Sequence, residues 1–355
     1  MSYIRAKKNI RMQTCEGLAY FENLDHPKFM EELIGYDPWT NPQQAYADSY
    51  KALDMDWVIG LPNRTVKIAP GESCYTDVDG TIYTEWGMSG SAWREEFLFH
   101  DMESILAYNP IENLIGEKLV SPQYTQDQLD RRQADQDLLG DSAIVTSIYY
   151  TTLFQFGIMI FDWELFLMTA RTEPDRFQRV LEGFAEVSRR NITKWAEGPV
   201  DLILMHDDIA MERGMVFHPA WYRKNLFPLY EYILEPLKNH KDLKIAFVSD
   251  GNYNEVLDDL VAIGFDGFMI NSPAMDLGEI AKKLGDKVFL AGGIDTNILT
   301  LGRPEDVERE VKVCIEKVKP ARGFFMHSGG DLPHNIPLEN LHAYFSTTRE
   351  LKTKI

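Results

Sequence analysis

The stretch KIAFVSDGN, Lys244–Asn252, decides the fold. Ile245–Val248 is a short β-prone run without polar alternation, the pattern of a strand buried on both faces. Ser249, Asp250, Gly251 and Asn252 then turn it abruptly polar. In alternating α/β chains the residues just past a strand's C-terminal end face the ligand. Asp250 is therefore the first candidate for chemistry. The competing reading has it N-cap a helix that starts near Asn254.

The same pattern recurs on both sides. VDLILMHDD, FDGFMINSP, VFLAGGID and GFFMHSGG read as further strands. Between them run the helical segments PAWYRKNLFPLYEYILEPLKNH, NEVLDDLVAIG, DLGEIAKKLG and RPEDVEREVKVCIEKV, and PLENLHAYFSTTREL closes the chain. Upstream, AIVTSIYYTTLFQFG, Ala143–Gly157, reads as a strand running into aromatics, and MDWVIGLP, Met55–Pro62, as the first barrel strand. WELFLMTARTEP gives one helix, and DRFQRVLEGFAEVSRRNITKWAEG a long amphipathic one that ends at Gly198. Regular strand–helix alternation signals right-handed βαβ units. The expected fold is α/β, a (β/α)8 TIM barrel with one strand left unplaced. A doubly wound open sheet is the alternative, but no GxGxxG follows the first strand.

Two additions to the barrel are expected. Residues 1–54 carry helical spacing in KFMEELIGY and NPQQAYADSYKAL, with a helix start at Asn41-Pro42, and read as an N-terminal helical cap. Residues 63–100 alternate around turns, and Asp79-Gly80 between YTDV and TIYTEW signals a β-hairpin. It is read as an insertion over the barrel mouth, its second arm ending in Glu85-Trp86-Gly87. The barrel then comprises 55–62 and 101–355, all within a single domain, 1–355.

The chain has 355 residues and a formal net charge of −19. That charge argues against nucleic acid and polyanionic substrates. Three cysteines without CxxC spacing point to a reducing compartment. No signal peptide and no run of membrane-spanning length is read, so a cytoplasmic protein with no membrane role is expected.

The residues that follow each apolar run form a set: His206, Asp207 and Asp208; Ser249, Asp250 and Asn252; Asn271; Asp295; His327 and Ser328. In a barrel such ends converge on one mouth. Two histidines among carboxylates suit acid–base work or a metal. Gly292-Gly293-Ile294-Asp295 could be a phosphate loop or a tight turn, and Ser328-Gly329-Gly330 has the same ambiguity. His218-Pro219 reads as a helix cap, and no GxSxG nucleophile elbow occurs.

Taken in order, HDDIAMERGMVFHPAWYRKNLFPLYEYI, FVSDGNYNEVLDDLVAIGFDGF, FLAGGIDTNILTLGRPEDVEREV and IPLENLHAY are similar to a known pattern. It resembles the uroporphyrinogen decarboxylase superfamily, and within it the corrinoid-dependent methyltransferase branch. The likeness covers roughly residues 140–350, and TEWG near residue 85 resembles the family's E-W-G hairpin. The family fold is a (β/α)8 barrel. Two departures narrow the function. The R-Q-A-G-R segment with which the decarboxylases grip substrate carboxylates is missing, and Val248-Ser249-Asp250 stands where thiol-methylating relatives carry a zinc-binding H-x-C.

The resemblance then implies the O-demethylase-type half-reaction. A methyl group moves from a small donor, an aryl methyl ether, to cobalt(I) on a partner corrinoid protein. A decarboxylase of a small acid, methyl transfer from the corrinoid protein to another acceptor, and a non-enzymatic binding barrel are the alternatives. Asp250, His206 and His327 are the candidate catalytic residues. They are also the preferred ligands if zinc binds. Relatives are thought to use a Glu-Glu-His zinc set, and Glu182, Glu197 and His218 match its spacing. Glu182 and Glu197 would lie about 22 Å apart along one helix, which works against that set. Candidate substrate contacts are Glu85, Trp86, Tyr149, Tyr150, Asp208, Asn271 and Asp295, with Phe154 as a further aromatic. A homodimer is one candidate assembly.

Overall fold

The computed structural model describes residues 2–352 except 15, 63–64, 69–71, 77–81, 85, 94–96, 98, 117–121, 145–146 and 241. Glu85 and the Asp79-Gly80 turn lie outside the described residues. Seven described strands make up the main parallel set: β1 (Ala19–Tyr20), β2 (Ser147–Thr151), β3 (Leu202–His206), β4 (Lys244–Val248), β5 (Gly267–Ile270), β6 (Phe289–Gly293) and β7 (Phe324–His327); Asn23–Asp25 and Asp331–Pro333 form a separate parallel pair. The chain divides into two compact units. One holds Met1–Glu95, Gln133–Val145 and Asp276–Ile355; the other holds Glu96–Arg132 and Thr146–Met275.

In the second unit the strands order β2, β3, β4, β5, all parallel. Thr151 pairs with His206, His206 with Val248 and Val248 with Met269, so the C-terminal ends stand level. Leu202–Met205 and Ile245–Val248 are buried throughout, as a two-faced parallel sheet requires. The helix Pro174–Ala196 packs as read, with Val180, Leu181, Phe184, Val187, Ile192 and Trp195 on its buried face. Two readings change here. The aromatics after β2 form a helix, Leu153–Phe161, because the strand ends where Thr152 N–H bonds the His206 carbonyl. The segment after His218 is two helices, Pro219–Asn225 and Phe227–Leu234, since Pro228 cannot donate to the preceding turn.

In the first unit β7 lies between β1 and β6: Tyr20 pairs with Met326, and Gly293 with His327. Beyond β1, Asp56 N–H bonds the Tyr20 carbonyl, and Trp57 forms a parallel bridge to Ile144. The N-terminal helices Ser2–Ile10, Pro27–Ile34 and Pro42–Ala52 supply the cap. Within that cap sits β1, the strand the sequence did not yield. Its two residues are too few to show a pattern, and the pairing with β7 creates it. The segment after residue 70 is a three-stranded antiparallel sheet, Cys74–Thr76, Ile82–Thr84 and Ser91–Trp93, one strand more than a hairpin. The α/β class and the strand–helix alternation are as read. No described helix is long and apolar enough to cross a membrane.

Candidate active site

The level strand ends of the second unit bring several polar side chains together. His206, the last residue of β3, places Nε2 2.9 Å from Asp208 Oδ1. Both side chains are mostly covered, at 17% and 18% exposure. Burial alone would depress the His206 pKa, but the hydrogen bond and charge of Asp208, helped by Asp207 and Asp250, raise it above the ordinary value. Burial pushes Asp208 the other way, yet His206 and the Asp250 N–H outweigh it and hold its carboxyl low. Both shifts favour the charged pair, imidazolium and carboxylate. His206 Nδ1 makes no hydrogen bond among the described residues.

Asp208 Oδ1 also accepts the backbone N–H of Asp250 at 2.9 Å, which ties the end of β4 to the end of β3. Asp250 Oδ1 accepts from Asn271 Nδ2 at 3.1 Å, just past β5. By surface area Asp250 is exposed, but enough protein surrounds it for desolvation to raise its pKa, with Asp208 adding to the rise. It caps no helix: Asn252 Oδ1 takes the Asn254 N–H instead. Tyr149 completes the group, 43% exposed with its ring centroid 5.3 Å from that of His206.

Packing removes Tyr150, Phe154 and Asp207 from this surface. Tyr150 points into the layer between β2 and the helix Pro174–Ala196, where its hydroxyl bonds Ser188 and its ring meets Trp195 edge-on. Phe154 is likewise packed among Phe166, Phe217 and Trp221. Asp207 is fully buried, accepting Gln155 N–H at 2.6 Å and the Tyr230 hydroxyl at 2.5 Å. Desolvation drives its pKa up to about 7. The sequence set Asp207 beside His206 and Asp208 at the strand end, but gave no sign that it alone is sealed inside as an anchor.

His327, Asp295 and Trp86 belong to the first unit. Asp295 caps the helix Thr296–Leu301 through the Asn297 N–H at 2.8 Å. His327 is buried, stacked on Phe21 with ring centroids 4.1 Å apart, and its Nδ1 lies 3.2 Å from Glu22 Oε2. Glu22 also accepts Ser328 N–H at 2.9 Å, the Ser328 hydroxyl at 2.6 Å and the Tyr344 hydroxyl. Trp86 donates Nε1–H to Asp331 Oδ2 at 3.2 Å. A Cβ on Gly87 would lie 1.7 Å from the Asp25 carbonyl oxygen, so that close approach needs glycine. Glu22, Asp25 and Asp331 were all missed; the apolar run LAYF before Glu22 was the available signal.

The donor set does not fit zinc. His206 commits Nε2 to Asp208 and is held toward its protonated form. Among the described residues no group of three or more His, Cys, Asp or Glu side chains is placed to hold a metal ion. Glu182 and Glu197 are exposed, and His218 Nδ1 accepts the Ala220 N–H as a helix cap. Burial pushes the Cys314 thiol up to about 12, so it supplies no thiolate.

A family model described as uroporphyrinogen decarboxylase (URO-D) matches residues 155–351. The uroporphyrinogen decarboxylase of Aromatoleum aromaticum is 25% identical over 198 residues, 55% of this chain and 53% of that protein. The methylcobamide:CoM methyltransferase MtaA of Methanosarcina barkeri is 24% identical over 186 residues, 52% of each. The chain thus spans about half the length of the curated relatives it matches. Among solved structures, a methyltransferase from Methanosarcina mazei matches over 98% of both chains with a TM-score of 0.66 and 15% identity, which is a likeness of fold.

Proposed function

We propose that this chain, which belongs to the uroporphyrinogen decarboxylase family, is a methyltransferase that moves a methyl group from a small donor, an aryl methyl ether, to the cobalt(I) of a corrinoid carried by a partner protein. The His206–Asp208 pair carries the reading. Demethylating an aryl ether releases a phenolate, whose conjugate acid has a pKa of about 10, so a proton at the leaving oxygen lowers the barrier. Cobalt(I), a two-electron nucleophile, supplies the attack on the methyl carbon. The carbon–oxygen bond breaks as the cobalt–carbon bond forms, and the oxygen takes a proton.

His206 is the proton source in this scheme. Asp208 holds the imidazole charged and occupies Nε2, which leaves Nδ1–H to reach the leaving oxygen. Asp250, oriented by Asn271, adds negative charge that keeps His206 protonated until transfer. Tyr149 offers an exposed ring beside the imidazole for an aromatic donor to lie against.

The test is incubation with a cobalt(I) corrinoid protein and a panel of methoxyarenes and methylamines. The expected result is loss of the cobalt(I) absorbance matched by release of the demethylated phenol. Transfer from no member of the panel rejects the reading. Carbon dioxide release from a small acid without corrinoid would replace it with the decarboxylase suggested by the family's name.

A further inference from the structure

A second polar cluster lies in the first unit, at the C-terminal ends of β1 and β7. His327 is 1% exposed, yet its Nε2 has no hydrogen-bond partner among the described residues. Buried polar atoms are ordinarily paired, because leaving one bare carries its full desolvation cost. Its other nitrogen, Nδ1, faces two acceptors, Glu22 Oε2 at 3.2 Å and the Phe21 carbonyl at 3.3 Å. Nδ1 therefore carries a proton, and in the singly protonated ring Nε2 is a hydrogen-bond acceptor facing no donor among the described residues.

The surroundings are strongly acidic. The buried Tyr50 hydroxyl lies in the field of Asp25, Asp331 and Glu22 together. Asp331 pairs in register with Asn23, the chain neighbour of the Glu22 that holds His327 Nδ1, so the two clusters adjoin; burial and then Asp25 raise the Asp331 pKa. Apart from His327, these three carboxylates receive neutral donors only; no Lys or Arg pairs with them among the described residues. Asp331 is exposed, and the indole of Trp86 beside it is 37% exposed.

A ligand with one positive charge and at least one N–H answers each feature. The charge offsets the carboxylates, the N–H meets the bare imidazole nitrogen, and the indole face attracts a cation. We propose that this cluster binds a small protonated amine, with its N–H donated to His327 Nε2 and its charge held by Asp331 beside Trp86. The proposal rests on reading strand ends as the ligand-facing edge, but not on methyl transfer.

Binding is therefore measured on the full chain without corrinoid. Methylammonium, dimethylammonium and trimethylammonium are titrated by calorimetry and by 15N spectra of the histidine rings, with tetramethylammonium as the cation that lacks N–H. The expected result is saturable binding of at least one N–H amine with a shift of the His327 Nε2 resonance. Tetramethylammonium should bind about tenfold or more weakly. Asp331→Asn, on an exposed side chain where folding is not at stake, should weaken binding about tenfold. His327→Phe, which keeps the stack on Phe21, should abolish the preference for N–H. No saturable binding by any amine overturns the proposal, as does equal affinity for tetramethylammonium or an unchanged affinity in Asp331→Asn.

Discussion

His206 Nε2 and Asp208 Oδ1 stand 2.9 Å apart at the end of one strand, two residues apart in sequence, and each shifts the other's pKa toward the charged form. A proton donor is thereby fixed within one turn of backbone. Asp208→Asn removes the largest influence that raises His206. If His206 is the acid, activity falls as pH rises through its pKa, so the variant's activity should fall at lower pH than the parent's. A pH–rate profile of kcat measures this, and coincident profiles would remove His206 from the role.

The same pair sets a stability window. The raised His206 contributes stability that is fully present below its unfolded pKa, about 6.5, and is lost as pH rises through the folded value. The lowered Asp208 contributes stability present above its unfolded pKa, about 3.9, and lost as pH falls through the folded value. His206→Gln should therefore cost most between those limits, about 1–2 kcal/mol for a mostly covered pair. Denaturant melts from pH 4 to 9 check the shape.

Asp207 behaves oppositely to an ion-paired carboxylate. With a folded pKa of about 7, the stability it contributes is full below the unfolded value and lost as pH rises through 7. Asp207→Asn should flatten that slope. Asp207→Ala should cost about 2–4 kcal/mol, because the Gln155 N–H and the Tyr230 hydroxyl lose their buried acceptor.

Gly251 has φ +78°, and a Cβ there would lie 2.5 Å from the Met211 carbonyl carbon and oxygen. Those are backbone atoms that cannot turn aside. Gly251→Ala should destabilise by about 1–3 kcal/mol and shift the adjoining Asp250. Asp250→Ala, by contrast, should cut turnover strongly while changing stability by only about 0.5 kcal/mol, since the side chain is exposed. Equal losses of turnover and stability in Asp250→Ala would mark it as structural.

In the first unit, Lys352 Nζ pairs with Asp54 and Asp56 at 2.9 Å each, and Arg5 meets Asp56 at 2.7 Å. Asp56 is completely buried, and desolvation raises its pKa despite both cations. Lys352→Met should cost about 3–5 kcal/mol by leaving a buried carboxylate half-compensated. Thermal melts of the full chain test this; a loss below about 1 kcal/mol would show that Arg5 suffices.

The sequence alone determined the strand–helix alternation, because two-faced burial and helical amphipathicity write their periods into every segment. It also marked the positions after each strand, since polarity there breaks an apolar run. It could not say which neighbours share a face. Tyr149 lies beside His206 while Tyr150 packs under a helix, and His206 and Asp208 pair while Asp207 is sealed behind them. Tertiary structure alone decided β1 and the partnership of Glu22 with Ser328, 306 positions apart. Two residues carry no period, and a buried carboxylate is stabilised only by donors the fold brings from the far end of the chain.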